Sequence, residues 1–294
     1  HGVGAETAFK ALHAAGFPDV IPVEEQIEPD PDFPTVDFPN PEVDGALDLA
    51  FETARTAGAD LIVALDPDAD RCSVAVVDGE GWRQLSGDEI GSLLGEQAAS
   101  EHRGQSDVTL VRSLVSSSLL GAIAEHHGVG SAETLTGFKW IARATGIVYG
   151  YEEAIGYCVN PDAVRDKDGI SAAVKICQLA ADLKEQGRSL SDMLTDLAVR
   201  HGLFATSPMT FRVDDLSLID VALRKLQSSP PTHLAGAEVT SYNDLSEGYQ
   251  GLPPTPGVRI ATASGDRVVV RPSGTEPMLK CYLEVISPIA SKEQ

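Results

Sequence analysis

Residues 60–71 read Asp-Leu-Ile-Val-Ala-Leu-Asp-Pro-Asp-Ala-Asp-Arg and constrain this chain more than any other stretch. The apolar run predicts a buried strand that Pro67 ends, so Asp66, Asp68 and Asp70 follow on one tight loop. Three carboxylates within five residues repel one another, and a small divalent ion with oxygen ligands relieves that repulsion. The segment therefore predicts a cation site at a strand end, with a solvated acidic turn as the alternative.

A calcium-binding EF-hand loop also begins with alternating aspartates, but this sequence does not fit one. Arg71 stands where that loop needs glycine, and Val77 stands where its bidentate glutamate belongs. Mg²⁺ is therefore the ion that we expect at these aspartates.

The composition excludes some classes of partner. The chain has 294 residues, 43% of them hydrophobic, and a net charge of −22, which argues against nucleic acid or an anionic membrane as a partner. Any phosphate site must be built from a few locally concentrated cations and backbone N–H groups. The four cysteines form no C-x-x-C pair, which is typical of reduced thiols in a cytosolic protein.

Helical and strand patterns alternate along the first two thirds of the chain. We expect helices at 5–15, 43–57, 86–100, 116–127 and 169–186, with parallel strands between them and a proline-rich surface passage at 22–41. The last third predicts five strands and one helix, which is an α+β pattern. The predicted fold is two tandem three-layer α/β domains with mixed or parallel sheets, followed by a smaller α+β C-terminal domain.

The motif Arg271-Pro-Ser-Gly-Thr-Glu-Pro277 follows a strongly β-forming run. Gly274 permits a turn with positive φ, in which successive N–H groups form a concave nest, while Ser273 and Thr275 add hydroxyl donors and Arg271 adds a bidentate cation. This pattern favours a phosphate-binding loop that is not a Walker A loop. A polar hairpin turn is the alternative.

Two further motifs lie between these segments. Gly150-Tyr-Glu-Glu-Ala-Ile-Gly156 carries paired carboxylates suited to vicinal sugar hydroxyls, and Lys167 in Arg165-Asp-Lys-Asp-Gly169 offers a charge for a phosphate. Thr136-Gly-Phe-Lys-Trp140 places Lys139 between two aromatic residues. Each segment also has a purely structural interpretation. The paired glutamates could complement a helix dipole, the Asp-Lys-Asp segment could cap a helix, and Lys139 could be a snorkelling surface lysine.

The order of these four motifs resembles the α-D-phosphohexomutase superfamily, which includes phosphoglucomutases and phosphomannomutases. The resemblance spans the whole chain. Members of that family have three α/β domains and a C-terminal α+β domain. This sequence resembles the second, third and fourth of them, at residues 1–103, 104–203 and 204–294.

The resemblance implies a role for each motif. Asp66, Asp68 and Asp70 would bind Mg²⁺, and Arg71 would assist catalysis beside the phosphoserine. The residues that would bind the sugar phosphate are Gly137, Phe138, Lys139, Glu152 and Lys167. The residues that would bind the phosphate that does not react are Arg271, Ser273, Gly274 and Thr275. The reaction implied is transfer of a phosphoryl group between the 1- and 6-positions of a hexose phosphate, through a phosphoserine and a sugar bisphosphate.

This sequence departs from the family in two ways. Ala154 stands where the family usually has serine. The sequences of the surrounding motifs are similar to those of the branch that holds phosphopentomutases and glucose 1,6-bisphosphate synthase relatives, so pentose phosphates are alternative substrates. The phosphoserine loop, of the Thr-x-Ser-His-Asn-Pro type, does not occur in these residues. We therefore expect a serine-bearing N-terminal domain to act in cis, and we expect the chain alone to be inactive.

Two other functions remain open. The chain could be a non-catalytic fragment that binds sugar phosphates. It also resembles the D-x-D-x-T pattern of haloacid-dehalogenase phosphatases with Asp66 as nucleophile, although Asp70 replaces the threonine.

Overall fold

The computed structural model describes residues 1–79, 81–274 and 277–291. The chain divides into two compact units, His1–Asp196 and Leu197–Gln294. None of the helices in the described residues has the length and hydrophobicity of a membrane-spanning segment.

Unit 1 alternates helices and short strands. In chain order these are α1 Ala5–Ala14, α2 Asp48–Ala57, β1 Leu61–Leu65, β2 Cys72–Asp78, β3 Gly81–Gln84, α3 Gly87–Glu101, β4 Thr109–Ser113, α4 Leu119–His127, β5 Gly130–Thr134, α5 Phe138–Ile141, β6 Ile147–Glu152, β7 Gly156–Cys158 and α6 Gly169–Glu185. Helix α7, Leu190–His201, crosses the division between the units.

The first sheet has the order β1-β2-β3 and is antiparallel throughout. The expectation of parallel strands in this region is wrong. Parallel neighbours need a crossover of about a dozen residues or more, whereas only residues 66–71 join β1 to β2. The short aspartate loop therefore forces the chain to turn straight back.

The second sheet has the order β5-β4-β6-β7 and is mixed, as expected. Strand β4 pairs in parallel with β5 and β6, because α4 and α5 supply the crossovers, and β7 folds back antiparallel on β6. The core on one side is formed by Val111, Phe138, Ile141, Ile147 and Cys158. Strand β7 is three residues long, and no sequence pattern predicted it.

Helix α3 packs on the second sheet through three stacked tyrosines. Tyr149, Tyr151 and Tyr157 are fully buried, and the hydroxyl of Tyr149 donates to the carbonyl of Gly91. A Cβ at Gly91 would lie 2.3 Å from the Tyr151 ring. The predicted start of α3 is confirmed, since Ser86 forms a complete capping box.

Two predicted helices begin later than expected. Helix α2 starts at Asp48 rather than at residue 43, because Gly45 has φ +84° and a helix cannot run through that conformation. Helix α4 starts at Leu119 rather than at residue 116, where the serine side chains make other contacts. The proline-rich passage contains only a short 3₁₀ helix, Glu24–Gln26.

Unit 2 is α+β, as predicted. Its elements are β8 Leu203–Arg212, α8 Ser217–Ser228, β9 His233–Leu234, β10 Ala237–Asp244, β11 Val258–Thr262, β12 Arg267–Pro272 and β13 Met278–Ser287. The sheet order is β8-β13-β12-β11-β10-β9, with antiparallel pairs throughout. Helix α8 covers one face through Ile219 and Leu223. The opposite face carries Arg259, Arg271 and Lys280, because paired residues and every second residue of a strand share a face.

Candidate functional site

The aspartate loop joins β1 to β2 in unit 1. Carboxylate oxygens of Asp66, Asp68 and Asp70 lie within 4.8 Å of one another. Asp66 is buried, Asp70 is half-buried and Asp68 is exposed, while Ala69 adopts φ +61° and so lets the loop turn tightly. The three side chains that the sequence singled out therefore converge as a candidate metal centre.

Electrostatics in this loop favour a bound cation. Asp66 accepts hydrogen bonds from the backbone N–H of Arg71 at 2.9 Å and from its Nη1 at 3.1 Å. Burial nevertheless raises the pKa of Asp66, the Arg71 N–H opposes that effect, and the charges of Asp68 and Asp70 raise the pKa further. Among the described residues, the buried Oδ1 of Asp70 has no hydrogen-bond partner. This clustered, all-oxygen donor set with an unused buried acceptor fits a hard divalent ion.

Lys167 and the start of α6 close one side of the loop. The Lys167 ammonium forms an ion pair with Asp70, and the N–H of Gly169 donates to the carbonyl of Ala69 at 3.1 Å. A Cβ at residue 169 would lie 2.4 Å from the carbonyl oxygen of Arg71. The glycine of the Asp-Lys-Asp-Gly motif thus permits α6 to approach the aspartate loop directly.

The β6–β7 hairpin closes another side. The backbone of Arg71 forms an isolated antiparallel β-bridge with Gly156, and the N–H of Cys72 donates to the carbonyl of Ile155 at 3.0 Å. A Cβ built on Gly156 would lie 3.2 Å from Cδ of Lys167 and 3.1 Å from Cε2 of Phe138. Gly156 is therefore the position at which three of the predicted motifs meet.

The Gly137-Phe-Lys loop is anchored by Glu152. Oε1 of Glu152 accepts from the backbone N–H of Gly137 at 2.5 Å, where the backbone has φ +105°. Phe138 is buried in the core of the second sheet, whereas Lys139 is exposed, with Nζ 6.0 Å from the centroid of the Trp140 ring. Lys139 is thus the member of this motif that can reach a ligand, and Phe138 positions the backbone.

Glu153 lies in a polar cluster that the sequence did not reveal. Its Oε2 accepts from the hydroxyls of Ser113 at 3.3 Å and Ser116 at 3.1 Å, and its N–H donates to Oγ of Ser116 at 3.0 Å. Burial raises the pKa of Glu153 to about 7, with smaller contributions from the charges of Asp88 and Glu152. The serines precede Glu153 by about forty residues, so no local motif could indicate this contact.

The Arg271 motif lies in unit 2, where Arg271 and Pro272 end β12. The N–H of Ser273 donates to the carbonyl of Met278 at 2.8 Å, which closes the turn into β13. Gly274 does not adopt the positive φ that we expected, and its missing Cβ would meet no atom within 4 Å. Thr275 lies outside the described residues, so the predicted nest has no geometric description.

Three family models match in succession: phosphoglucomutase/phosphomannomutase α/β/α domain II at residues 1–80, α/β/α domain III at 86–201 and the C-terminal domain at 212–290. The chain belongs to the α-D-phosphohexomutase superfamily. The resemblance inferred from the four motifs is thereby confirmed, and the matched regions are domains II–IV of that family.

Sequence relatives carry the names of several mutases. A Haemophilus influenzae protein named "Probable phosphomannomutase" is 44% identical over 97% of this chain and 58% of its own length. Human phosphopentomutase is 36% identical over 98% of this chain and 52% of its own length. A Staphylococcus epidermidis phosphoglucomutase is 32% identical over 97% of this chain and 56% of its own length. The chain thus spans about half the length of the curated relatives that it matches.

A solved structure agrees with the fold. The phosphoglucomutase/phosphomannomutase family protein of Burkholderia thailandensis superposes with a TM-score of 0.70 at 18% identity, covering 97% of this chain and 55% of that one. At that identity the likeness shows the fold alone.

Proposed function

We propose that this chain supplies the metal-binding and substrate-binding parts of a phosphosugar mutase. The reaction is transfer of a phosphoryl group between the 1- and 6-positions of a hexose phosphate, glucose or mannose, through a phosphoserine and a sugar bisphosphate. The observation that carries the proposal is the convergence of three aspartates on one loop, where Arg71 pairs with Asp66 and Lys167 pairs with Asp70. The buried Oδ1 of Asp70 accepts no hydrogen bond from the described residues. The domains proposed for these tasks are residues 1–103, 104–203 and 204–294.

Phosphoryl transfer requires positioning and charge neutralisation more than covalent help from the protein. Asp66, Asp68 and Asp70 would hold Mg²⁺, which neutralises charge on a transferring phosphoryl group when it is bound. Arg71 presents a guanidinium beside these carboxylates, with Nη1 3.1 Å from Asp66 and 3.9 Å from Asp70. Because Asp66 binds both the backbone and the side chain of Arg71, this cation is held in a fixed orientation.

Substrate binding is assigned to the remaining motifs. In unit 1, the residues that bind the sugar phosphate in this proposal are Lys139, Glu152 and Lys167. Gly137 and Phe138 hold the backbone around Lys139. In unit 2, Arg271, Ser273, Gly274 and Thr275 take the phosphate that does not react.

The experiment is calorimetric titration of the chain with glucose 6-phosphate and with ribose 5-phosphate, in the presence of Mg²⁺. Glu152→Gln should weaken binding of the preferred sugar about tenfold, because one charge-assisted hydrogen bond is lost. Glu125→Gln is the matched control, since Glu125 is exposed on α4. Failure of both sugar phosphates to bind would contradict the proposal.

Phosphopentomutase activity is the second candidate. It is favoured by the 36% identity to human phosphopentomutase over 98% of this chain and by Ala154, which stands where the common family sugar loop has serine. Stronger binding of ribose 5-phosphate than of glucose 6-phosphate would support it.

We further propose that the chain by itself binds sugar phosphates without turning them over, since its sequence contains no phosphoserine loop of the family type. A coupled assay of glucose 1-phosphate conversion tests this. Turnover that follows the chain through every purification step would overturn the binding-only proposal and leave the mutase reaction standing.

A further inference from the structure

Residues 153–155 join β6 to β7, and the backbone of this turn is strained. Ile155 is fully buried and has φ +52°. A β-branched residue rarely adopts that costly conformation, so the turn keeps it only because its surroundings hold it there. Glu152, the residue that we assign to the sugar, ends β6 directly before the turn. Whatever holds the turn therefore also places the Glu152 carboxylate.

Three neighbouring elements hold the turn. The carbonyl of Ile155 accepts from the N–H of Cys72 on β2 at 3.0 Å. The N–H of Glu153 donates to Oγ of Ser116, which precedes α4, at 3.0 Å. A Cβ at Gly87, the first residue of α3, would lie 1.7 Å from the carbonyl oxygen of Glu153, so glycine is what allows α3 to approach the turn this closely. The backbone of the turn is therefore fixed by three distant parts of the chain.

The side chain of Glu153 reinforces these contacts. Its Oε2 accepts from the hydroxyls of Ser113 at 3.3 Å and Ser116 at 3.1 Å, and the two serine oxygens lie 2.8 Å apart. Ser113 and Ser116 are completely buried. Ser116 thus binds both the backbone N–H and the carboxyl group of Glu153, so the backbone and the side chain of this residue are held at the same point.

The charged groups near Glu153 do not neutralise it. Two carboxylates face it, Glu152 on its own strand and Asp88 on α3, and both raise its pKa, although burial is the largest cause. Arg112 on β4 forms an ion pair with Glu133 on β5. In the part of the chain that the structure describes, no ion pair includes Glu153. With its pKa raised to about 7, this carboxyl changes charge in the neutral pH range.

We propose that Glu153 is a positioning residue for the sugar-binding Glu152, and that sugar phosphates bind to the form of the chain in which Glu153 is protonated. This inference rests on the proposed function, because it names a residue that acts through the carboxylate assigned to the sugar. A protonated Glu153 keeps an oxygen that accepts from the serines and adds no charge beside Glu152. An ionised Glu153 adds a negative charge beside a site for an anionic ligand and opposes binding. Above pH 7, binding should therefore transfer a proton from the buffer to Glu153.

The test is calorimetric titration of the chain with glucose 6-phosphate, in the presence of Mg²⁺, at pH 6.5 and pH 8.5. Wild-type affinity should fall about five- to twentyfold between these pH values, because the protonated fraction of Glu153 falls. Glu153→Gln imitates the protonated carboxyl at both, so its affinity should fall less and should exceed that of the wild type at pH 8.5. Titration of the ligand phosphate and of other groups is common to both proteins and cancels in the comparison. Glu125→Gln, the exposed control on α4, should keep the wild-type pH profile.

A second calorimetric readout follows the proton itself. At pH 8, titrations in buffers with different ionisation enthalpies give the number of protons taken up on binding. For each glucose 6-phosphate bound, the wild type should take up more protons than Glu153→Gln does, by up to about one. A residue that only stabilised the fold would not produce this difference.

Glu153→Ala separates support of the turn from the effect of charge. It removes the contacts with Ser113 and Ser116 together with the charge, so binding should weaken about tenfold at both pH values. Glu153→Gln should instead bind about as the wild type does at pH 6.5. Thermal melts check that each variant is folded at the temperature of the titration, and the glutamine variant alone decides the question of charge if the alanine variant does not fold.

The outcomes separate the two proposals. If Glu153→Gln shows the pH dependence and the proton uptake of the wild type, this inference is overturned and the proposed function stands. If a folded Glu153→Ala binds as tightly as Glu153→Gln does, the positioning role is overturned. Failure of the wild type to bind glucose 6-phosphate at both pH values would overturn the proposed function, and this inference with it.

Discussion

Replacing Glu153 with glutamine should change how the stability of unit 1 depends on pH. The variant keeps the size of the side chain and an oxygen that can accept from Ser113 and Ser116, but it cannot titrate. Burial raises the pKa of Glu153 from its usual 4.5 to about 7. Folding therefore favours the protonated carboxyl, which is the reverse of the usual case for a carboxylate held by a cation.

The sign and size of this effect of pH on the free energy of unfolding follow from proton linkage. Below pH 4.5 the carboxyl is protonated in both the folded and the unfolded chain, and the stability is fully present. Between pH 4.5 and 7 the unfolded chain loses this proton first, so the free energy of unfolding falls as the pH rises. At 1.36 kcal/mol for each pH unit the loss is at most about 3 kcal/mol. Solvent screening of the partly exposed side chain reduces it to about 1–2 kcal/mol.

The assay is urea denaturation at pH 5 and pH 8, followed by tryptophan fluorescence. Both tryptophans, Trp82 and Trp140, lie in unit 1 and report on it alone. Relative to the wild type, Glu153→Gln should gain about 1–2 kcal/mol of stability on going from pH 5 to pH 8. Other titrating groups, including Asp66, are present in both proteins and cancel in this difference. Glu125→Gln should show no such gain, and equal pH profiles for wild type and Glu153→Gln would refute the reasoning.

Three further predictions concern packing, charge and thiol reactivity. Gly169→Ala should lower the free energy of unfolding of unit 1 by about 1–3 kcal/mol in urea, because its Cβ would collide with the carbonyl of Arg71. Glu284→Gln should destabilise unit 2 by about 3–5 kcal/mol in a thermal melt, since Arg267 is left buried without its counter-charge. Cys72 should react with a thiol reagent at pH 7.5 only after unfolding, because burial raises its pKa well above the usual range.

Sequence patterns predicted the elements whose signals are local. The Ser86 capping box starts α3 where expected, and the strongly β-forming run before Arg271 lies in β12. The three aspartates converge as predicted because a period of two and a short loop leave them little freedom. These features depend on residues within one turn or one strand, so the sequence alone determines them.

The features that the sequence did not reveal depend on distant partners. The loop length that makes the first sheet antiparallel was readable, but the alternation of helices and strands suggested a parallel arrangement instead. Strand β7 is only three residues long and exists because it pairs with β6. The contacts of Glu153 with Ser113 and Ser116, and of Lys167 with Asp70, join residues about forty and about one hundred positions apart in the chain. The hydrophobic periodicity of a sequence does not indicate such contacts.

Titration of the chain with Mg²⁺ by calorimetry tests the central claim most directly. The wild type should bind one Mg²⁺ per chain, and Asp68→Asn should bind it at least tenfold more weakly, because one of three converging carboxylates is lost. Asp107→Asn is the matched control, since Asp107 is exposed and far along the chain from the aspartate loop. Binding that Asp68→Asn leaves unchanged, or no binding by the wild type, would contradict the assignment of this loop as the metal centre of a phosphosugar mutase.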